Sequence, residues 1–196
     1  LGIPYDENGN VVEYPGDVQE VSPLADTAPN AYVDNTRTLS FAPTGYLEFT
    51  PIKGLSFKSV LGAYLAFSRQ GIYYSAQSAN GHEASQSTAG INNTNTFNYK
   101  WENILNYNFN IGSEHSFTFT GVTSWSKKKY ETSGATGYNV DWDKYAFYNL
   151  GVTDSDGREI SSSYVGSQMM SYVLRLNYSF LGKYLLTLSN RWDGSS

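Results

Sequence analysis

The sequence has no cysteine and only two histidines, His82 and His115. Disulfides and thiolate metal sites are therefore excluded. No Ser/His/Asp set, paired-carboxylate site, metal-ligand cluster or phosphate-binding glycine loop can be assembled from what remains. We therefore expect no enzyme, no metal and no cofactor. Charged residues make up only 16% of the chain and the net charge is −5, which argues against nucleic acid as a partner. Long apolar runs are missing too. The longest, 60–67, has eight residues and includes Gly62 and Tyr64, far short of the roughly 18 that a membrane-spanning helix requires. A membrane β-barrel is not excluded, because half of each of its strands is polar and escapes a hydropathy average. The chain opens at Leu1 with neither Met nor a signal peptide, which fits a piece of a larger protein or a processed one.

What the chain does have is aromatic residues, 16% of the total with 17 tyrosines, and they fall in a pattern. Over residues 97–111 the odd positions are Phe97, Tyr99, Trp101, Asn103, Leu105, Tyr107, Phe109 and Ile111, all but one apolar or aromatic. The even positions are Asn98, Lys100, Glu102, Ile104, Asn106, Asn108 and Asn110, all but one polar. A period of two predicts a strand with one apolar and one wet face. After a turn at 112–114 the alternation resumes, with Phe117, Phe119, Gly121, Thr123 and Trp125 on one face. Soluble strands usually have about 5–6 residues, and these are longer. Their aromatics cluster at the ends of the stripe. The ten steps from Tyr99 to Phe109, at about 3.3 Å each and tilted by roughly 40°, cover about 25 Å. That is the height of the apolar band on an outer-membrane barrel, girdles included.

The rest of the chain divides around this hairpin. Residues 1–44 carry clusters of turn formers, DENGN at 6–10, YPGD at 14–17 and SPLAD at 22–26. They predict a long loop with a small hairpin at Asn8-Gly9. Residues 45–193 predict six strands: 45–51 (or with an earlier start near Thr38), 55–67, the two of the central hairpin, 168–180 and 184–193. Long loops fall near 70–96 and 132–166, and tight turns at 51–54, 112–114 and 181–183. Connections that alternate short and long describe an antiparallel up-and-down meander, with short turns periplasmic and long loops outside. Six strands do not close a membrane barrel, which needs at least about eight. The missing strands would come from elsewhere, and no complete independent domain is expected.

Several segments carry a resemblance. SPLAD at 22–26, EFTPIKGLSFKSVLG at 48–62, YKWENILNYN at 99–108, SQMMSYVLRLNYSF at 167–180 and KYLLTLSNRWDGSS at 183–196 are similar, in the same order, to the SusC/RagA-like TonB-linked outer-membrane transporters of Bacteroidetes. The Arg-x-Asp-Gly-Ser-Ser ending is the most specific of these. The resemblance implies an all-β segment of a 22-stranded transmembrane barrel with an N-terminal plug. It also implies a SusD-like surface lipoprotein as lid, energy supplied by TonB-ExbB-ExbD through the parent protein, residence in the bacterial outer membrane, and import of oligosaccharides or peptides. The chain has no plug motif, TonB box or C-terminal aromatic strand.

Candidate sites follow from this reading. Tyr99, Trp101, Tyr107, Phe109 and Trp125 are expected to form a lipid-facing girdle. Lys127 and Lys129, above Trp125 on the same parity, suit contact with lipopolysaccharide phosphates. The aromatic loop carrying Tyr138, Trp142, Tyr145 and Tyr148 suits substrate or lid contact, or packs on itself. Asp26-Thr27-Ala28 matches the triplet at which Bacteroidetes attach O-glycans, with Thr27 as acceptor. Arg191 and Asp193 are expected to pair on the lumen face. Asp154-Ser155-Asp156-Gly157 begins like a calcium loop, but position 165 is Val where such a loop needs Glu, so a turn is expected. The competing reading is a secreted, aromatic-rich all-β carbohydrate-binding module, which would bury the apolar stripe between two sheets. A passive porin-like barrel is a third.

Overall fold

The computed structural model describes residues 4–12, 14, 21–84 and 86–196, without the side chains of 82–84. Most of the expected turn at 14–17 and the side chain of His82 lie outside this description. Among the described residues the strands are β1 (Tyr32–Phe41), β2 (Thr44–Ile52), β3 (Leu55–Tyr74), β4 (Thr88–Ile111), β5 (His115–Tyr138), β6 (Glu159–Phe180) and β7 (Tyr184–Ser195), with one short α-helix, α1 (Ala79–Ala84). They form one antiparallel sheet in the order β1-β3-β4-β5-β6-β7, with β2 also pairing β3. The sheet is the expected meander.

Seven strands make six passes. Thr44 pairs with Gly62, the Pro43 carbonyl accepts from Ala63 N at 2.9 Å, and Thr38 meets Ser68 through their hydroxyls at 2.9 Å. All three contacts follow one register, so β1 and β2 are a single pass interrupted at Ala42-Pro43. Pro43 has no N–H to give the ladder, which is why pairing breaks there.

Strand limits differ from those the periodicity predicts. The first pass starts at Tyr32 rather than at 45 or near Thr38. β3 runs on to Tyr74, β4 starts at Thr88, β5 runs to Tyr138 and β6 starts at Glu159. The loops shorten to 75–87 and 139–158. The added stretches, such as TAGINNTNT at 88–96, have no apolar stripe. A ladder needs only backbone donors and acceptors, so residues polar on both faces pair without leaving a hydropathy signal.

The Cα positions gather into two compact units. One comprises Leu1–Leu39, Phe67–Thr94 and Glu131–Ser163. It holds the buried cluster, Tyr73, Ala89, Val140, Ala146 and Phe147, with Val33, Ile91, Leu150 and Val152 packed on it. Within it the Asn8-Gly9 hairpin forms, bridged at Tyr5 and Val11, with Gly9 at φ +81. Asp6 Oδ1 accepts from Asn8 N at 2.9 Å and Asn10 N at 2.8 Å. The bonds from Asn10 hold the Asp6 carboxyl below the usual carboxylate range.

The other unit comprises Ser40–Ala66, Asn95–Tyr130 and Tyr164–Ser196. It contributes no residue to the buried hydrophobic cluster, and its large apolar side chains point outward, Leu47 being 80% exposed and Leu61 60%. Its turns are stitched to their neighbours. Asn108 N donates to Gly54 O at 2.8 Å, and Leu181 N to Glu114 O at 2.7 Å. Gly54 sits at φ +84 with the Asn108 carbonyl where a Cβ would be, so no other residue fits.

Candidate functional site

The register of the second unit sorts its side chains into two faces. Tyr172 pairs with Trp192, Leu176 with Leu188 and Phe180 with Tyr184. Directly paired residues share a face, so these belong with the odd positions of β4 and β5. At the short-turn end the rings form a continuous stack across four strands. Tyr107 to Phe109 is 5.0 Å between centroids, Phe109 to Phe117 5.0 Å, Phe117 to Tyr178 4.8 Å, His115 to Phe180 4.9 Å and Phe180 to Tyr184 6.2 Å. His115 belongs to this stack, its Nδ1 2.7 Å from the Tyr178 hydroxyl. Sequence reasoning assigned Tyr107 and Phe109 to it but left out His115, Tyr178 and Tyr184. At the other end of the stripe, Trp101 Nε1 donates to Ser59 Oγ at 2.9 Å, and Tyr99 and Trp125 are exposed.

The opposite face is polar and paired. Lys58 lies 4.0 Å from Glu48 and 4.1 Å from the Tyr46 ring centroid. Lys100 meets Glu102 at 2.9 Å. Arg191 Nε donates to both oxygens of Asp193 at 3.0 and 2.8 Å, on the face where the sequence placed them. Thr120 donates to Asn106 and Thr187 to Asn177, each at 2.9 Å. A face of paired charges and amides open to solvent is a water-filled boundary, and the other is a surface for hydrocarbon.

The aromatic loop of the first unit is docked on β3. Phe147 is fully buried, and a Cβ at Gly71 would overlap its ring. The Tyr73 hydroxyl donates to Asp143. The Arg69 guanidinium lies 5.4 Å from the Phe147 ring and 5.7 Å from Tyr148. Val140 N donates to Ser87 Oγ at 2.7 Å. Gly71, Tyr73 and Arg69 are odd positions, the parity of the apolar stripe farther down β3. Trp142 and Tyr145 come together at 5.8 Å, while Tyr148 pairs with Phe147 at 4.3 Å. Tyr138 stands apart, its hydroxyl donating to Glu159 at 3.1 Å. Trp142 and Tyr148 are each 65% exposed.

The remaining predicted sites are local. Thr27 ends a 3₁₀ turn, Pro23–Thr27, and is exposed, its hydroxyl donating to Leu24 O at 2.6 Å. Lys127 and Lys129 are half-buried on β5 beside Trp125. Residues 154–157 form a turn, with Gly157 at φ +87 and Asp154 Oδ2 accepting from Asn139 Nδ2 at 2.6 Å. Among the described residues no group of three or more potential ligands is placed to hold a metal.

A long-stranded antiparallel wall with one ring-bordered apolar face and one ion-paired polar face is a segment of an outer-membrane β-barrel. No protein-family profile matches the chain. TonB-dependent receptor P26 of Formosa agariphila is 31% identical over 176 residues, 89% of this chain and 18% of the receptor. Receptor P39 of the same organism is 29% identical over 181 residues, 84% of this chain and 16% of that receptor. Among solved structures, the RagAB peptide transporter superposes with a TM-score of 0.83 at 18% identity, over 98% of this chain and 22% of that one. The RagAB peptide importer in its closed-closed state gives 0.83 at 20% identity, over 98% and 22%. The chain resembles a stretch of the TonB-dependent receptors of a Bacteroidetes outer membrane, and it shares its fold with a segment of the RagAB barrel wall. It spans about a fifth of the length of the relatives it matches.

Proposed function

We propose that the chain forms part of the wall of a TonB-dependent importer that carries oligosaccharides or peptides across the outer membrane. The observation that carries this reading is the division of one continuous sheet into a hydrocarbon face and an ion-paired aqueous face. Among the described residues no second sheet covers the apolar face, which counts against the secreted carbohydrate-binding module. In this reading the wall does no covalent chemistry, and selectivity comes from lumen polarity and outer loops. The plug, the remaining strands and coupling to TonB-ExbB-ExbD belong to the rest of the protein, and a SusD-like lipoprotein covers the outer end. The two long loops, between β3 and β4 and between β5 and β6, lie outside, as does the start of β1. Likeness to RagAB, a peptide importer, favours peptide as cargo, while the Formosa relatives leave the cargo open. Trp142, Tyr145 and Tyr148 contact substrate or the lid, Trp142 and Tyr148 being the most exposed rings of the loop. Tyr138, tied to Glu159, positions the loop's base. Thr27 is presented for O-glycosylation.

A single cysteine at Leu105 in the full-length protein tests the wall. Labelled through the unfolded state with a fluorophore and refolded into vesicles, it is expected to be strongly quenched by a lipid-phase quencher and spared by an aqueous one. Protection from both quenchers would mean a protein-packed core, and would return the chain to the soluble module.

A further inference from the structure

We propose that the apolar face of β5 and β6 seats one lipid A moiety of lipopolysaccharide, with a phosphate at Lys127 and Lys129 and an acyl chain in a trough over Gly121. The inference rests on the wall reading above, with the long loops outward, so that the lysines meet the outer leaflet.

The trough exists because position 121 has no side chain. A Cβ there would stand 3.7 Å from Leu174 Cδ2 and 3.6 Å from the Phe119 ring. Leu105 and Leu174 flank it, Phe119 closes one end, and Tyr172 and Trp192 border the other. Its volume is about 540 Å³. Nearer the loops on the same two strands lies a second hollow of about 260 Å³, lined by Lys127, Tyr164, Gly166, Ser167, Gln168 and Ser196. Gly166 permits it, since a Cβ there would be 2.7 Å from the Tyr164 hydroxyl oxygen. Six residues separate Gly121 from Lys127, about 20 Å along the strand and roughly 15 Å of depth after tilt. That is the separation between a lipid phosphate and the middle of its chain.

The trough's own lining holds an anomaly. Asn103 is the one polar residue in the odd stripe of β4, and its Nδ2 reaches Thr123 Oγ1 only at 3.5 Å. Bare hydrocarbon gives that amide nothing, and an unmet polar group there is costly. The ester or amide carbonyl at the head of an acyl chain accepts from it. Charge agrees with the assignment. The residues of the same face level with the lysines, Phe97 and Tyr99 on β4, Gly166 and Gln168 on β6 and Ser196 just past β7, are all uncharged. The nearest carboxylate of that parity is Glu131, one step farther from the apolar band. Half-buried lysines in such a setting favour a phosphate.

The test uses the full-length barrel in phosphatidylcholine nanodiscs doped with either lipid A or phosphatidylglycerol, with retained lipid counted by native mass spectrometry after extraction. Lipid A is expected to be retained over phosphatidylglycerol. Retention is expected to fall about fivefold for each of Lys127→Gln and Lys129→Gln, and as strongly in Gly121→Leu, whose side chain fills the trough. If Leu at 121 prevents folding, seen as loss of heat-modifiable electrophoretic mobility, Thr123→Phe fills the trough from its rim. Equal retention of both lipids, or retention unchanged by the trough-filling variant, overturns the site. A cysteine at 105 that is lipid-quenched while lipid A retention is unchanged leaves the wall standing and removes only this inference.

Discussion

Phe147 reaches the backbone of β3 because Gly71 has nothing to place in its way. The aromatic loop is held at that point, by the Tyr73–Asp143 hydrogen bond and by Arg69 beneath the Phe147 and Tyr148 rings. Removing the buried ring with Phe147→Ala should weaken local docking by about 3–5 kcal/mol. Gly71→Ala should do the same by overlap, without touching the loop itself. Hydrogen exchange in the full-length protein is the check: amides of 140–153 should exchange faster in both variants, while those of 101–111 stay as in the parent. The sequence announced this loop as aromatic but not which ring would anchor it. Trp142, Tyr145, Phe147 and Tyr148 lie in one run, and the partner that selects Phe147 is a glycine 76 residues earlier. A glycine carries no sign of what fills the space beside it.

At the scale of strands, legibility followed hydrophobic contrast. The stripe of β4 could be read from sequence because hydrocarbon on one side and water on the other impose a period of two. The outer ends of β3, β4, β5 and β6 could not, because their residues do not alternate between apolar and polar, and a strand without that contrast looks like a loop. Parity also supplies a test. Leu105→Arg places a charge in the middle of the apolar band and should cost about 2–4 kcal/mol. Its neighbour Asn106→Arg points to the polar face and should cost well under half of that. Folding titrations of the two full-length variants into lipid vesicles should differ in midpoint accordingly. Equal costs would mean that the two faces see the same medium.

For the chain as a whole, the sheet has two open margins among the described residues. The β1/β2 pass pairs only with β3, and β7 only with β6. In hydrocarbon each margin leaves a row of backbone donors and acceptors without partners, at several kcal/mol per group. The 196-residue chain diluted alone from urea into detergent or vesicles is therefore expected to stay unfolded or to associate edge to edge. The gel mobility shift on heating that marks a closed barrel should be absent, and the full-length protein should show it. The incompleteness was legible from the count of six passes. The family resemblance was legible from short runs such as Arg191-Trp192-Asp193-Gly194-Ser195-Ser196, whose Arg191–Asp193 pair the structure places on the polar face.

The interruption at Pro43 removes one ladder donor yet leaves the register on β3 unchanged. The stretch 32–52 thus behaves like a reading frame, in which alternate side chains are assigned to two solvents in strict succession across the break. Inserting one residue at Ala42 would shift that frame. With β2 held, Leu39 and Phe41 would turn to water, and Thr38 and Ser40 to hydrocarbon. Inserting two would restore the assignment and cost only a local bulge. For a protein of this kind, the harm done by a small insertion in the wall depends less on its size than on whether its length is odd or even.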